Sequence, residues 1–274
     1  MAIQESFPSS ANKIDTLLFD LDETLIQINR FGLELRFIFS SMRRMHSIIP
    51  VWKFYSVFWK SVKKSKTHGT DKTNHEVLVE ALASYSKKSF EEVDRIIQKN
   101  LHDDFKKLKN HFTPVPGAKE TLLLAHKLGY RVIIATNPSI PLCTVKLRLK
   151  WAGLEDFPFE YITNSEVMTR CKPDPAFYSE LLDRLALDSK KCLMVGNDIE
   201  KDLAAKKIGI LTYILKTQVT QKQIKKCKGD LYLEGYGDYP RLQEWLRTSP
   251  PGKEQKPCPP SSEQETCQAG TETF

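Results

Sequence analysis

Five short apolar runs punctuate this chain: "IDTLLFDL" from Ile14, "YRVIIATN" from Tyr130, "FEYITN" from Phe159, "CLMVG" from Cys192 and "ILTYIL" from Ile210. From about residue 116 they alternate with helical segments, and that alternation limits the fold more than any other feature. A run of about four to eight apolar residues reads as a strand buried on both faces, and such a sheet is built of parallel strands joined by helices. The intervening helices are "AKETLLLAHKLG" with its stop at Gly129, "PLCTVKLRLKWAG", "DPAFYSELLDRL" and Glu200 to Lys207, with "DLYLE" as an edge-strand candidate. The fold class expected is α/β, a doubly wound parallel sheet.

Residues 27–112 break this rhythm and read as helical, most clearly in "NHEVLVEALASY" and "SFEEVDRIIQKNLHDDF", where Ser89 and Glu92 form a capping-box signature. The expected organisation is a core of residues 1–26 and 113–247, a helical unit of residues 27–112, and a tail of residues 248–274. At 274 residues the chain can support one sizeable core plus a smaller unit. The tail, "TSPPGKEQKPCPPSSEQETCQAGTETF", has too few large apolar residues to offset its ordering entropy and is expected to be disordered. No apolar run approaches the roughly 18 residues of a membrane span. The opening "MAIQESFPSSANK" lacks the basic and apolar regions of a secretory signal, so a cytoplasmic location is expected. The six cysteines show no CxxC pair and read as free thiols. His46, His68, His75, His102, His111 and His126 have no ligand spacing and read as structural or surface residues.

In an open parallel sheet, sites form beyond the carboxyl ends of the strands. Asp20 and Asp22 follow the first run, Thr136 and Asn137 follow "VIIA", Lys172 lies shortly after "FEYITN", and Asn197, Asp198 and Asp202 follow "LMVG". Carboxylates converging from two strand ends repel one another and call for a hard cation such as Mg²⁺, which prefers oxygen ligands. With that charge balanced, one carboxylate can attack phosphorus, a second can handle the proton, and a lysine with a threonine hydroxyl can hold phosphoryl oxygens.

"DLDET", "ATN", "KPDP" and "VGNDIEKD" resemble, in the right order, the four motifs of the haloacid dehalogenase-like hydrolase superfamily, over residues 14 to about 216. The stretches "ATNPSIP", "KWAGL" and "VGNDIEKDL" look most like its phosphatase-type members. The resemblance implies a Rossmann-like core, a helical cap inserted after the first motif, Mg²⁺ dependence and an aspartyl-phosphate intermediate. Asp20 matches the family's nucleophile, Asp22 its general acid/base and main-chain metal ligand, Thr136 its phosphate-binding hydroxyl, and Lys172 its stabilising cation. Asp20, Asp22, Asp198 and Asp202 are the implied metal set. Asn197 stands where the commonest form of the fourth motif has aspartate, so Asp198 is the preferred ligand and Asn197 a neutral alternative. Dehalogenase members lack the acid two residues after the nucleophile; Asp22 therefore points to a phosphatase of small phosphomonoesters.

Between Arg30 and Lys66 nine Lys/Arg stand against one acid, Glu34, interleaved with bulky aromatics. Three readings stay open for this segment. It is a cap helix pair with wet lysines, a grip on an anionic substrate, or a basic face that touches an anionic membrane or nucleic acid. A small phosphorylated metabolite is the expected partner, ahead of peripheral membrane contact, with nucleic acid disfavoured. A phosphomutase on the same core, or a non-catalytic anion- or membrane-binding protein, are the alternatives to a phosphatase.

Overall fold

The computed structural model describes residues 14–227 and 233–251. The opening segment, the expected disordered stretch after Pro251, and Cys258 and Cys267 lie outside the described residues. The four other cysteines are free thiols.

A parallel sheet forms the core: β1 (Thr16–Phe19), β4 (Arg131–Ile134), β5 (Tyr161–Ile162), β6 (Cys192–Gly196), β7 (Leu211–Leu215) and β8 (Gly235–Gly237), in the order β5-β4-β1-β6-β7-β8. A second ladder pairs β2 (Ile26–Ile28) antiparallel with β3 (Phe112–Pro114). All four residues of β1 are buried, as a central strand covered on both faces requires. Period-two alternation sends Leu17 and Phe19 to one face, against Leu122 and Ala125 of α5 (Ala118–Lys127), Val145 and Leu149 of α6 (Leu142–Trp151) and Leu242 and Leu246 of α10 (Tyr239–Thr248). Leu18 goes to the other face, with Phe177, Tyr178 and Leu181 of α7 (Pro175–Leu185) and the small Ala204 and Ala205. The doubly wound parallel sheet expected from the alternation is the one observed.

Two elements depart from the sequence reading. In place of a helix over Glu200–Lys207 there is one α-turn, α8 (Ile199–Asp202), followed by tighter 3-10 winding over Leu203–Ile208 that lays Ala204 and Ala205 flat on the sheet. Among the described residues the edge strand is β8; residues 230–232 of the expected "DLYLE" strand lie outside the described residues, and Leu233 and Glu234 lead into β8. Packing, not propensity, selects glycine at position 237, since a Cβ there would crowd the Tyr213 hydroxyl and the Arg241 side chain.

Between β2 and β3 lies the helical unit, comprising α1 (Leu33–Met45), α2 (Phe54–Thr67), α3 (Asn74–Ser86) and α4 (Phe90–Lys99). It has its own core of Met45, Ile48, Ile49, Phe54, Val79, Leu82, Val93 and Ile97. The reciprocal capping box falls on Thr73 and Glu76 at the start of α3. At α4 the predicted Ser89–Glu92 pair makes the Ser89 half, with Oγ accepting from Glu92 N at 3.2 Å, while the Glu92 carboxylate pairs with Lys88. The expected continuation of α4 unwinds into a π-turn over Asn100–Asp104 and 3-10 winding to His111. That widening carries Asn100 and Asp104 to α1: Ser41 Oγ donates to Asn100 Oδ1 (3.1 Å) and Arg44 Nε to Asp104 Oδ2 (2.7 Å). The unit is pinned to the core where α3 begins, through Asn74 N to Met168 O (3.0 Å), His75 N to Ser165 O (2.8 Å) and Asn74 Nδ2 to Pro138 O (3.1 Å). Among the described residues no helix is long and apolar enough to cross a membrane.

The α9 helix (Gln218–Lys226) completes the set, and its Thr220 hydroxyl donates to Asn197 O (2.7 Å), fastening the loop after β6. The Arg44–Asp104 contact supplies a stability test. Burial alone would raise the Asp104 carboxyl, but hydrogen bonds from Arg44 and Lys107 hold it down, to about 2 against an ordinary 3.8. Its stabilisation is complete above pH 3.8 and disappears as the pH falls through 2. Asp104→Asn should cost about 1–3 kcal/mol near neutrality, with the gap to wild type closing in acid unfolding titrations. A gap that persisted at pH 2 would show that charge is not its origin.

Candidate active site

The strand order reverses at β1: the chain moves outward through β4 and β5 on one side, then returns to β6 on the other. Ligand crevices in open α/β sheets form at such a switch. Main-chain bonds lace the three strand ends together, Asp20 N donating to Val195 O (2.9 Å) and Ala135 N to Phe19 O (2.8 Å). Above them lies a cavity of about 400 Å³ lined by Asp20, Asp22, Thr136, Asn137, Asn197, Asp198 and Asp202 from the core. Leu33, Phe37, Ile38 and Trp59 close it from the helical unit.

Lys172 is fully buried, with its ammonium 3.2 Å from Asp20 Oδ1 and 2.7 Å from Asp202 Oδ1, and the rings of Phe177 and Tyr178 within 6 Å. Burial works against the ammonium, but the two carboxylates outweigh it and hold the Lys172 pKa above the ordinary lysine range. Burial pushes the Asp20 carboxyl up to about 7; Lys172 opposes that rise, while Asp202 and Asp22 add to it. The site thus carries a cation fixed in its floor and a carboxylate that a further positive charge would ionise.

Both Asp202 oxygens are engaged: Oδ1 accepts from Lys172, and Oδ2 accepts from the amides of Asn197 and Asp198, both at 2.9 Å. Only glycine fits at position 196, where a Cβ would collide with that carboxylate. Asp198 caps α8: Oδ1 accepts from Glu200 N and Lys201 N at 3.1 Å and Oδ2 pairs with Lys201 Nζ at 2.9 Å. Burial resists, but these bonds hold the Asp198 carboxyl below its ordinary value. Asn197 is buried, and its Oδ1 accepts one hydrogen bond, from Thr24 Oγ1 at 2.9 Å. Among the described residues no three His, Cys, Asp or Glu side chains form a ready-made metal cage. Thr136 is buried on the cavity wall, and Asn137 beside it holds a buried Oδ1 with no hydrogen-bond partner among the described residues.

Sequence reading passed over two residues. Arg148 of α6 is buried, and its Nη1 donates to Asp22 Oδ1 while its Nε has no hydrogen-bond partner among the described residues. The signal was a charge three residues after Val145, on the helix face that Val145 and Leu149 bury. Thr24, the last residue of "DLDET", is fully buried; its hydroxyl bonds Asn197 and its carbonyl accepts from the Tyr239 hydroxyl at 2.7 Å.

A family profile described as a haloacid dehalogenase-like hydrolase matches residues 14–209. Pyrophosphatase PpaX of Halalkalibacterium halodurans is 24% identical over 203 residues, which span 74% of this chain and 84% of that protein. Glyceraldehyde 3-phosphate phosphatase of Pyrococcus abyssi is 29% identical over 204 residues, 73% of this chain and 80% of its own. The crystal structure of 2-haloacid dehalogenase from Pseudomonas syringae pv. Tomato shares the fold at a TM-score of 0.57 and 19% identity, covering 86% of this chain and 99% of that one.

Removing the buried cation leaves two carboxylates facing each other out of water. Lys172→Met should destabilise the protein by about 3–5 kcal/mol at neutral pH, read by thermal or urea unfolding. Protonation relieves the repulsion, so the deficit should shrink on acidification. A deficit independent of pH would assign the loss to packing.

Proposed function

The chain belongs to the haloacid dehalogenase-like hydrolase family, and from that premise we propose that it is a Mg²⁺-dependent phosphatase releasing phosphate from small phosphomonoesters through an aspartyl-phosphate on Asp20. The observation that carries this reading is Asp20 on the cavity floor, held at 3.2 Å by a fully buried lysine and accompanied two residues later by a second carboxylate. The phosphatase and pyrophosphatase relatives support it.

In the first half of the reaction the Asp20 carboxylate attacks phosphorus. Lys172 and the Thr136 hydroxyl hold the phosphoryl oxygens, and the Asn137 amide group lies beside them. Asp22 gives a proton to the leaving oxygen, then removes one from the water that cleaves the acyl-phosphate. Arg148 engages Asp22 through Oδ1, which leaves Oδ2 to carry the proton.

The donor set suits Mg²⁺, because the groups around Asp20 offer oxygen and no sulfur or imidazole, and the raised Asp20 carboxyl marks a place where a cation is favourable. When bound, the ion would supply charge neutralisation at the phosphoryl oxygens. Asp20, the Asp22 main-chain carbonyl and the Asn197 side chain would hold it. Asn197 is preferred over Asp198 here because the Asp198 carboxylate is committed through Oδ1 to the start of α8 and through Oδ2 to the Lys201 ammonium, whereas Asn197 Oδ1 accepts from the Thr24 hydroxyl and lines the cavity. Asp202 then positions the Asn197–Asp198 amides and Lys172.

Phosphate release from a panel of nucleotides, sugar phosphates, phosphoglycolate and an aryl phosphate should depend on Mg²⁺, stop with chelator, and vanish in Asp20→Asn; release retained by that variant would sink the mechanism. In Mg²⁺ titrations of activity, Asn197→Ala should raise half-saturation at least about tenfold, and Asp198→Asn far less. The reverse order would make Asp198 the ligand.

A further inference from the structure

A helix pair on a water-facing surface ordinarily turns polar residues outward. Nine large hydrophobic residues are exposed among the described residues, and seven of them fall between Phe31 and Trp59. Phe31, Leu35 and Phe39 recur every four residues, forming one stripe along α1 and the turn before it. Trp52, Tyr55 and Trp59 follow at spacings of three and four, one stripe through the Val51–Lys53 turn and α2. Phe31 is 91% exposed and Trp52 84%, while Leu35, Phe39, Val51 and Tyr55 are each more than half exposed. One ring contact joins the two helices, Phe37 to Phe58 at 6.4 Å, and within α2 Trp59 packs on Phe58 at 5.6 Å and Tyr55 at 6.3 Å.

The charges around these stripes have one sign. Arg36, Arg43, Lys53, Lys60, Lys63 and Lys64 are exposed, against the single exposed acid Glu34. Aromatic rings flanked by Lys and Arg match a bilayer interface, where tryptophan and tyrosine sit at headgroup level and cations meet anionic lipid. Leu35 and Val51 add apolar area that cannot stack on nucleic-acid bases.

We propose that this face of α1, the Val51–Lys53 turn and α2 is a docking surface for an anionic lipid bilayer, with Phe31, Leu35, Phe39, Trp52 and Tyr55 entering the interface and the surrounding lysines and arginines meeting acidic headgroups. Trp59 belongs both to this face and to the cavity wall, so the docked surface borders the cavity.

The test is sedimentation of the full chain with phosphatidylcholine vesicles, with or without phosphatidylserine, while tryptophan emission is followed. Binding should require phosphatidylserine, weaken with salt and shift the emission to the blue. Each of Lys60→Gln, Lys63→Gln and Lys64→Gln should lower vesicle affinity about fivefold. The triple variant Phe39→Ser/Trp52→Ser/Tyr55→Ser should abolish binding with its circular dichroism spectrum and aryl-phosphate turnover unchanged. Failure to bind phosphatidylserine vesicles, or equal binding to phosphatidylcholine alone, overturns the proposal. So does sedimentation of the free protein as a dimer that the triple variant dissolves, which would make a second copy the occupant. Binding of an oligonucleotide in place of vesicles overturns it as well.

Discussion

A single ammonium group sits where the rest of this structure converges. Lys172 is out of water and in contact with two carboxylates, one at the end of β1 and one in α8. A buried lysine without them would shed its proton or unfold its surroundings. Asp202 passes the constraint onward, since its second oxygen fixes the amides of Asn197 and Asp198 and its bulk forbids a side chain at position 196. Strand order, loop conformation and site charge are therefore parts of one electrostatic arrangement, in which each carboxylate is tolerated because the lysine is there.

Much of this was legible before any coordinates. Parallel strands buried on both faces leave an unmistakable pattern of apolar runs, and polar residues that end such runs have only the sheet's carboxyl edge to occupy. What the sequence hid were features set by tertiary contact. At Gly237 of β8, the Tyr213 hydroxyl and the Arg241 side chain fill the space a side chain would need, which no propensity records. Arg148 looked like one more lysine-rich helix charge until its phase placed it on the buried side of α6, against Asp22. The order of preference between Asn197 and Asp198 turned on which oxygens were already engaged, and that depends on a helix cap and an ion pair rather than on residue type.

The helical unit has two faces with opposite demands. Inward, Leu33, Phe37, Ile38 and Trp59 wall the cavity, so the space above Asp20 is largely apolar on that side. Its own core is completed by residues such as Met45, Ile49, Val79 and Ile97, and Arg44 with Asp104 closes the seam between α1 and the π-turn. Neither task uses Phe31, Phe39 or Trp52. Their exposure is not a by-product of packing, because the unit's interior is filled without them.

The β2–β3 ladder sets Ile26 opposite Pro114 and Ile28 opposite Phe112, so the chain leaves the core and re-enters it at neighbouring points. To the sheet, everything between is a closed loop, and the entropy of closing a loop grows only logarithmically with its length. The helical unit is accordingly an insertion whose length weighs little on the sheet. Its length can change at little entropic cost away from the contacts at the start of α3, while the three-rung clasp keeps the ends of β2 and β3 in register. A change of length in the unit is thereby decoupled from the register of the sheet within one polypeptide.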